Sequence, residues 1–140
     1  MSQFNLHPRL QADTFLIGDL PLSRILLMND SRYPWLILVP RINEVNEMHH
    51  LHEADRQQLM SESCLVAEFM ENNFSIDKMN VGVLGNIVPQ LHMHHIGRRT
   101  TDPAWPGPVW GHSAAVPYVE EQAREIVDNC RSILRANPSA

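Results

Sequence analysis

The five consecutive apolar residues from Trp35 to Val39 leave this chain few possible folds. On a β-strand successive side chains point to opposite faces, so this run would place apolar groups on both faces of a sheet. Such a strand is stable only where both faces are covered. Pro40 closes the run, because proline has no backbone N–H for the next bond of a ladder. The run therefore predicts a strand near the centre of a sheet.

Further strands surround this central one. Turn-forming residues recur about every eight residues in the first part of the chain, a spacing typical of an antiparallel meander. The apolar segments between turns predict five strands in all, at residues 14–20, 24–28, 35–39, 78–84 and 90–96.

Two helices are predicted from apolar residues that recur with helical spacing. The longer covers residues 53–73, with an apolar stripe that includes Leu59 and leaves Glu62 outside. The second covers residues 118–136, with Pro117 in its first turn, where the missing N–H costs nothing.

Composition argues against several classes of function. The 140 residues suit one domain, and a content of 44% apolar and 19% charged residues is typical of a globular chain. The net charge of −5 argues against unspecific binding to nucleic acid or to anionic membranes. Cys64 and Cys130 fall in the predicted helices, so we expect packing residues rather than a disulfide framework. Without a signal-peptide pattern or a bilayer-length apolar run, we expect a cytoplasmic protein.

The segment from Gln90 to Ile96 carries the chemistry. Read as a strand, it places Gln90, His92 and His94 on one face. Such a row suits a histidine nucleophile flanked by polar groups that stabilise incoming charge. It also suits a metal site, for which His112 is a possible third ligand, or a solvated histidine pair without function. The residues alone leave these three readings open.

The stretch Gly85 to Arg98, with its Gln-x-His-x-His core, resembles the signature of the histidine triad (HIT) family. The order of elements is similar over about residues 4–100, and the Trp-Pro-Gly-Pro-Val-Trp-Gly segment is similar to the tail of a bacterial branch of that family. The resemblance implies an α+β fold: a five-stranded antiparallel sheet with one long central helix and a C-terminal helix. It implies a HIT domain at residues 1–104 and an extension at 105–140 packed on the same domain.

The resemblance also implies roles for individual residues. His92 matches the nucleophile that attacks the α-phosphate of a nucleotide conjugate, of the phosphoramidate or dinucleotide type, and forms a covalent nucleotidyl-histidine. His94 matches the residue that binds phosphate oxygens. Asn29 matches the residue that contacts the ribose hydroxyls, and Asn86 and Ile87 lie where relatives contact substrate. No cofactor is implied, and relatives usually form homodimers through the sheet edge and the long helix.

Four positions depart from the family pattern. His95 occupies an apolar position on the opposite face, and Trp35 stands where related sequences can carry a histidine. Gln90 stands in place of the first triad histidine, and its amide cannot carry a proton. Ile87 stands where relatives often have a hydroxyl near the leaving group. Gln90 and Ile87 keep open a nucleotide-binding HIT protein with little turnover. A metal-dependent hydrolase that uses His92 and His94 with His112 or His95 is the other alternative.

Overall fold

A computed structural model describes residues 3–138 of the chain. Its elements, in chain order, are α1 (Pro8–Asp13), β1 (Thr14–Asp19), β2 (Ser23–Met28), β3 (Trp35–Pro40), a 3-10 turn (Met48–His50), α2 (Glu53–Asn73), β4 (Lys78–Gly82), β5 (Met93–Arg98) and α3 (Glu120–Leu134). The predicted α+β fold, with five antiparallel strands, one long helix and a C-terminal helix, is confirmed.

The sheet places the apolar run at its centre. The strand order is β1-β2-β3-β5-β4, and every neighbouring pair is antiparallel. All six residues of β3 are buried. In the register of the sheet, Ile37 lies opposite Leu26 on one side and His94 on the other. The central strand β3 is thus hydrogen-bonded to β5, the strand that carries His94 and His95.

Each face of the sheet has its own core. On one face, Leu36 and Leu38 pack with apolar residues of α2 and α3. On the other, Trp35 and Ile37 pack with Leu10 of α1 and with residues that precede α3. Since residues beyond position 104 contribute to both cores, the C-terminal part of the chain packs on the same sheet. No helix within residues 3–138 has the length and apolarity needed to cross a membrane.

The strand that carries the histidines is shorter than predicted. It begins at Met93 rather than Gln90, so Gln90 and His92 lie in the loop that joins β4 to β5 (residues 83–92, the histidine loop). Pro89 has no N–H to donate, and the N–H of Leu91 binds the carbonyl of Val45, 2.9 Å away, instead of a neighbouring strand.

Two helix details also differ from expectation. Helix α3 begins at Glu120, three residues after Pro117, because the chain just before it is extended and its Tyr118 N–H binds the side chain of Asn29. Glu62, expected outside the apolar stripe of α2, is 2% exposed. Its carboxylate accepts hydrogen bonds from the N–H groups of Leu22 and Ser23, at 2.8 and 2.9 Å, which satisfies a buried turn.

Candidate active site

A cavity of about 460 Å³ opens on the face of the sheet that carries Trp35 and Ile37. Helix α1 contributes one wall, the end of β2 and the turn after it a second, and the histidine loop a third. The remaining wall comes from the segment between β5 and α3 (residues 99–119, the tail). The polar and charged side chains among its lining are Arg9, Asp13, Asp30, Arg32, Asn86, His92, His94 and Ser113.

His92 presents a free ring nitrogen. Its Nδ1 lies 2.6 Å from the backbone carbonyl oxygen of Gln90. A carbonyl oxygen can only accept, so Nδ1 carries the proton and Nε2 keeps its lone pair. Burial lowers the pKa of His92, and the neighbouring His7 lowers it further, against the opposing effect of the bond to Gln90. The ring is therefore neutral near pH 7, the state in which imidazole is a nucleophile.

His94 is held in the opposite tautomer. The indole N–H of Trp35 lies 3.0 Å from Nδ1 of His94. An indole nitrogen can only donate, so Nδ1 of His94 is unprotonated and Nε2 carries the hydrogen. Burial, then the nearby His92 and His95, lower the pKa of His94 to about 3. His94 is thus a neutral N–H donor whose ring lies 4.9 Å, centre to centre, from that of His92.

Two tryptophans hold the ring of His94. The centroids of Trp35 and Trp110 lie 5.6 and 5.3 Å from it, both in edge-to-face geometry. Trp110 in turn lies against Gly82, where a Cβ atom would stand 2.8 Å from Cη2 of the indole. Sequence analysis placed Trp35 in the central strand, at a position where related sequences can carry a histidine, but did not predict its contact with His94. Trp35 lies two residues before Ile37, so both side chains take the same face of β3, and Ile37 pairs with His94 on the neighbouring strand. This shared face is the signal that could have placed Trp35 beside the histidine.

Asp30 and Arg32 form a charged pair in the wall of the cavity. Nε and Nη2 of Arg32 donate to the two carboxylate oxygens of Asp30, at 3.0 and 2.9 Å. Burial would raise the pKa of Asp30, but hydrogen bonds from Arg32 and from the N–H of Val116 lower it overall. Arg32 also donates to the carbonyl and the hydroxyl of Ser113, so the pair joins the β2–β3 turn to the tail.

Asn29, assigned to the ribose by the resemblance, does not line this cavity. Its side chain accepts the N–H of Tyr118 at 2.8 Å. The next residue, Asp30, lines the cavity instead. Sequence reasoning missed it because β2 ends at Met28, and the alternation of faces no longer applies in the turn that follows.

The other assigned residues divide between wall and support. Asn86 and Ile87 line the cavity, and Ile87 is 72% exposed. The side chain of Gln90 is not part of the lining. Its Oε1 accepts the N–H of His7 at 2.8 Å, and its Nε2 donates to the carbonyl of Asn5 at 2.9 Å.

Neither suggested third metal ligand joins His92 and His94. His112 is exposed, and its Nδ1 contacts the hydroxyl of Ser113 at 2.9 Å. His95 faces the other side of the sheet, where its Nε2 lies 2.7 Å from the hydroxyl of Ser63. Among residues 3–138 no group of three or more histidine, cysteine or acidic side chains could hold a metal ion.

Comparison with known proteins agrees with this geometry. A family model described as the HIT domain matches residues 9–101, more than half of the chain. The chain belongs to the HIT domain family. The family membership expected from the histidine segment is thus confirmed. Comparison with curated proteins gave no significant match.

Solved structures of bacterial histidine triad proteins are similar to this HIT-family chain over nearly its whole length. The protein from Marinobacter aquaeolei VT8 is 48% identical, with a TM-score of 0.92 over 96% of this chain and 98% of that one. The protein from Sinorhizobium meliloti 1021 is 45% identical, with a TM-score of 0.90 over 92% and 96%. The protein from Bradyrhizobium japonicum is 43% identical, with a TM-score of 0.90 over 94% and 98%.

A more distant structure shares the fold alone. The NitFhit protein of C. elegans is 19% identical and has a TM-score of 0.62. The match covers 84% of this chain and 27% of that much longer one.

Proposed function

We propose that this HIT-family chain is a nucleotide-conjugate hydrolase or nucleotidyl transferase that acts at the α-phosphate through a covalent nucleotidyl-His92 intermediate. The observation that carries the proposal is the pair of opposite tautomers in one cavity. His92 offers a lone pair and His94 offers an N–H, each fixed by a partner that can bond in only one sense.

The proposed reaction has two displacements at phosphorus. In the first, Nε2 of His92 forms a bond to the α-phosphorus, and the bond from phosphorus to the leaving group breaks. The leaving group departs with that electron pair and takes a proton from solvent. In the second, water attacks phosphorus and gives up a proton, the N–P bond breaks, and a nucleoside monophosphate leaves with His92 neutral again. Dividing one displacement into two lowers each barrier.

The proposed role of His94 is to stabilise charge. Its Nε2–H would donate to a non-bridging oxygen of the phosphate as negative charge builds up there. Asp30 would accept hydrogen bonds from the ribose hydroxyls, a role supported by its place in the wall and its lowered pKa. In this proposal Asp30 replaces Asn29 as the ribose contact.

The charges of the cavity favour conjugates with a single phosphate over dinucleotides joined by polyphosphate. Its two lining arginines are each paired with a carboxylate, Arg9 with Asp13 at 3.6 Å and Arg32 with Asp30 at 2.9 Å. A polyphosphate chain would need unpaired cations to balance its charge. The exposed, apolar Ile87 instead suits an uncharged leaving group.

Nucleotide binding with little turnover is the second candidate, favoured by one observation. Ile87 lines the cavity and offers no proton to a leaving group. A conjugate whose leaving group needs acid assistance would then bind and remain intact.

Intact-mass measurement after brief incubation with an adenosine phosphoramidate tests the proposal. We expect a nucleotidyl adduct and release of AMP, both lost in His92→Ala, with kcat/KM reduced on the order of a thousandfold or more. The control is His112→Ala, which changes an exposed histidine with no bond to either triad residue. If the wild type binds nucleotide but forms no adduct and releases no AMP, the enzymatic proposal is overturned in favour of nucleotide binding with little turnover.

We also propose that the chain forms a homodimer in the cytoplasm. Strand β4 is at one edge of the sheet, next to β5. Helix α2 leaves Met60 55% and Leu65 44% exposed, so apolar surface remains on the two flanks of its buried stripe. A second copy that covers this surface would bury it. The free Cys64 and Cys130 suit a reducing compartment.

A further inference from the structure

Gln90 joins two parts of the chain that are more than eighty residues apart. Its amide oxygen accepts from the N–H of His7, and its amide nitrogen donates to the carbonyl of Asn5. Both bonds go to the backbone of one extended stretch, the N-terminal segment (residues 3–7). The amide therefore binds this segment much as a neighbouring strand would, with a donor and an acceptor side by side.

The backbone of the same residue contacts the proposed nucleophile. The carbonyl oxygen of Gln90 lies 2.6 Å from Nδ1 of His92, the contact that leaves Nε2 of that ring free. Movement of the Gln90 backbone would therefore move or release the His92 ring.

The N-terminal segment leads directly into the wall of the cavity. His7 is the N-cap of α1, and its Nδ1 accepts the N–H of Arg9 at 3.1 Å. Helix α1 then places Arg9, Leu10 and Asp13 in the cavity wall. A bond to the backbone of His7 thus fixes the start of the helix that forms this wall.

From these contacts we infer that Gln90 is a positioning residue: its side-chain amide anchors the N-terminal segment, and with it the α1 wall, to the backbone that holds the His92 ring. The inference rests on the proposed function and assigns Gln90 no proton transfer. It explains how an amide can serve where the family signature has a histidine. A glutamine bonds to a peptide N–H and a peptide carbonyl at once, and a carboxylate of the same shape would face the Asn5 carbonyl with no hydrogen to donate.

Asn43 offers a matched control. Its Nδ2 donates to the carbonyl of Gln3 at 2.9 Å, and its Oδ1 accepts the N–H of Asn5 at 3.1 Å. Asn43 therefore binds the same N-terminal segment with the same kind of group. Of the bonds in residues 3–138, none joins its side chain to the histidine loop.

The experiment compares Gln90→Ala and the isosteric Gln90→Glu with Asn43→Ala, all checked for folding by circular dichroism. For both Gln90 variants we expect kcat for an adenosine phosphoramidate to fall about tenfold to a hundredfold and KM to rise. We expect Asn43→Ala to lower the melting temperature but to leave kcat within about twofold of the wild type. The inference fails if both Gln90 variants keep wild-type kinetics, or if Asn43→Ala reproduces their loss.

A second measurement separates this inference from the proposed function. The ¹⁵N NMR shifts of the imidazoles report the His92 tautomer. Calorimetric titration measures the affinity for AMP, which depends on the position of the α1 wall. Neither measurement needs turnover. We expect both Gln90 variants to lose the single Nδ1–H tautomer and to bind AMP more weakly. If the wild type lacks turnover but these changes occur, the positioning role stands and the enzymatic proposal falls. If neither readout changes, the positioning role falls.

Discussion

At the scale of single residues, alternation along a strand predicted that His94 and His95 would lie on opposite faces of the sheet. His94 lines the cavity, and His95 lies on the opposite face against Ser63. The partners of these rings could not be predicted in the same way. Trp35 is fifty-nine positions from His94 in the sequence, and no local pattern indicates that its N–H fixes a tautomer. Glu62 likewise reads as a surface residue until the turn amides that it binds are known.

Stability in acid should depend on His95. Burial lowers the pKa of His95 to about 4, so between pH 6.5 and 4 the unfolded chain binds a proton that the folded chain does not. The free energy of unfolding therefore falls as the pH falls through this window, since stability rises with pH wherever the unfolded state binds more protons. We expect His95→Gln to show a shallower fall than the wild type in urea denaturation at pH 7 to 4.5.

The exposed His49 supplies the control for that measurement. His49→Gln makes the same substitution at an exposed side chain of the 3-10 turn, so it controls for the loss of one histidine. Parallel curves for His95→Gln and the wild type would show that protonation of the buried ring does not contribute.

At the scale of elements, the tail contains no helix or strand, and its sequence does not indicate where it packs. The tail forms a wall of the cavity because its residues contact residues that are distant in the sequence. At its start, Asp102 accepts two hydrogen bonds from the buried Arg98, at 2.8 and 2.9 Å. Further along, Trp110 lies on Gly82 of β4. The sequence shows each of these residues but not which pairs meet.

Gly82→Ala should disturb the site without touching either triad histidine. The new Cβ would stand 2.8 Å from Cη2 of Trp110, closer than contact allows, so the indole that packs against His94 must move. We expect kcat/KM to fall about tenfold, with a shift in tryptophan fluorescence. Lys78→Ala, an exposed change on the same strand, is the control and should alter neither. A fluorescence shift with unchanged kcat/KM would mean that the position of Trp110 does not affect the chemistry.

At the scale of the whole molecule, the number and type of the long elements could be predicted because each has a clear period and clear stops. The strand order could not be predicted, because the position of β5 between β3 and β4 depends on tertiary contacts. Two cores then share β3, with alternate residues facing each. The apolar side chains of α2 that belong to neither core are what the proposed homodimer accounts for.

Sedimentation should find a particle of about twice the chain mass of 16.0 kDa. Leu65→Glu puts a charge at an exposed apolar position on one flank of α2, and we expect it to give a folded monomer because burial of an unpaired charge is costly. Ile133→Glu is a matched change at a 51% exposed position of α3 and should remain a dimer. A wild type that sediments as a monomer at tens of micromolar would contradict the homodimer.

The indole beside His94 has one more consequence. A proton that arrived at Nδ1 of that imidazole would meet a hydrogen already pointing at it, so uptake requires the Trp35 contact to break. His94 therefore keeps the same hydrogen-bond donor, its Nε2–H, across mildly acidic and neutral conditions. A ligand that contacts this ring must supply the acceptor for that hydrogen, because His94 does not change its own ionisation to suit the ligand.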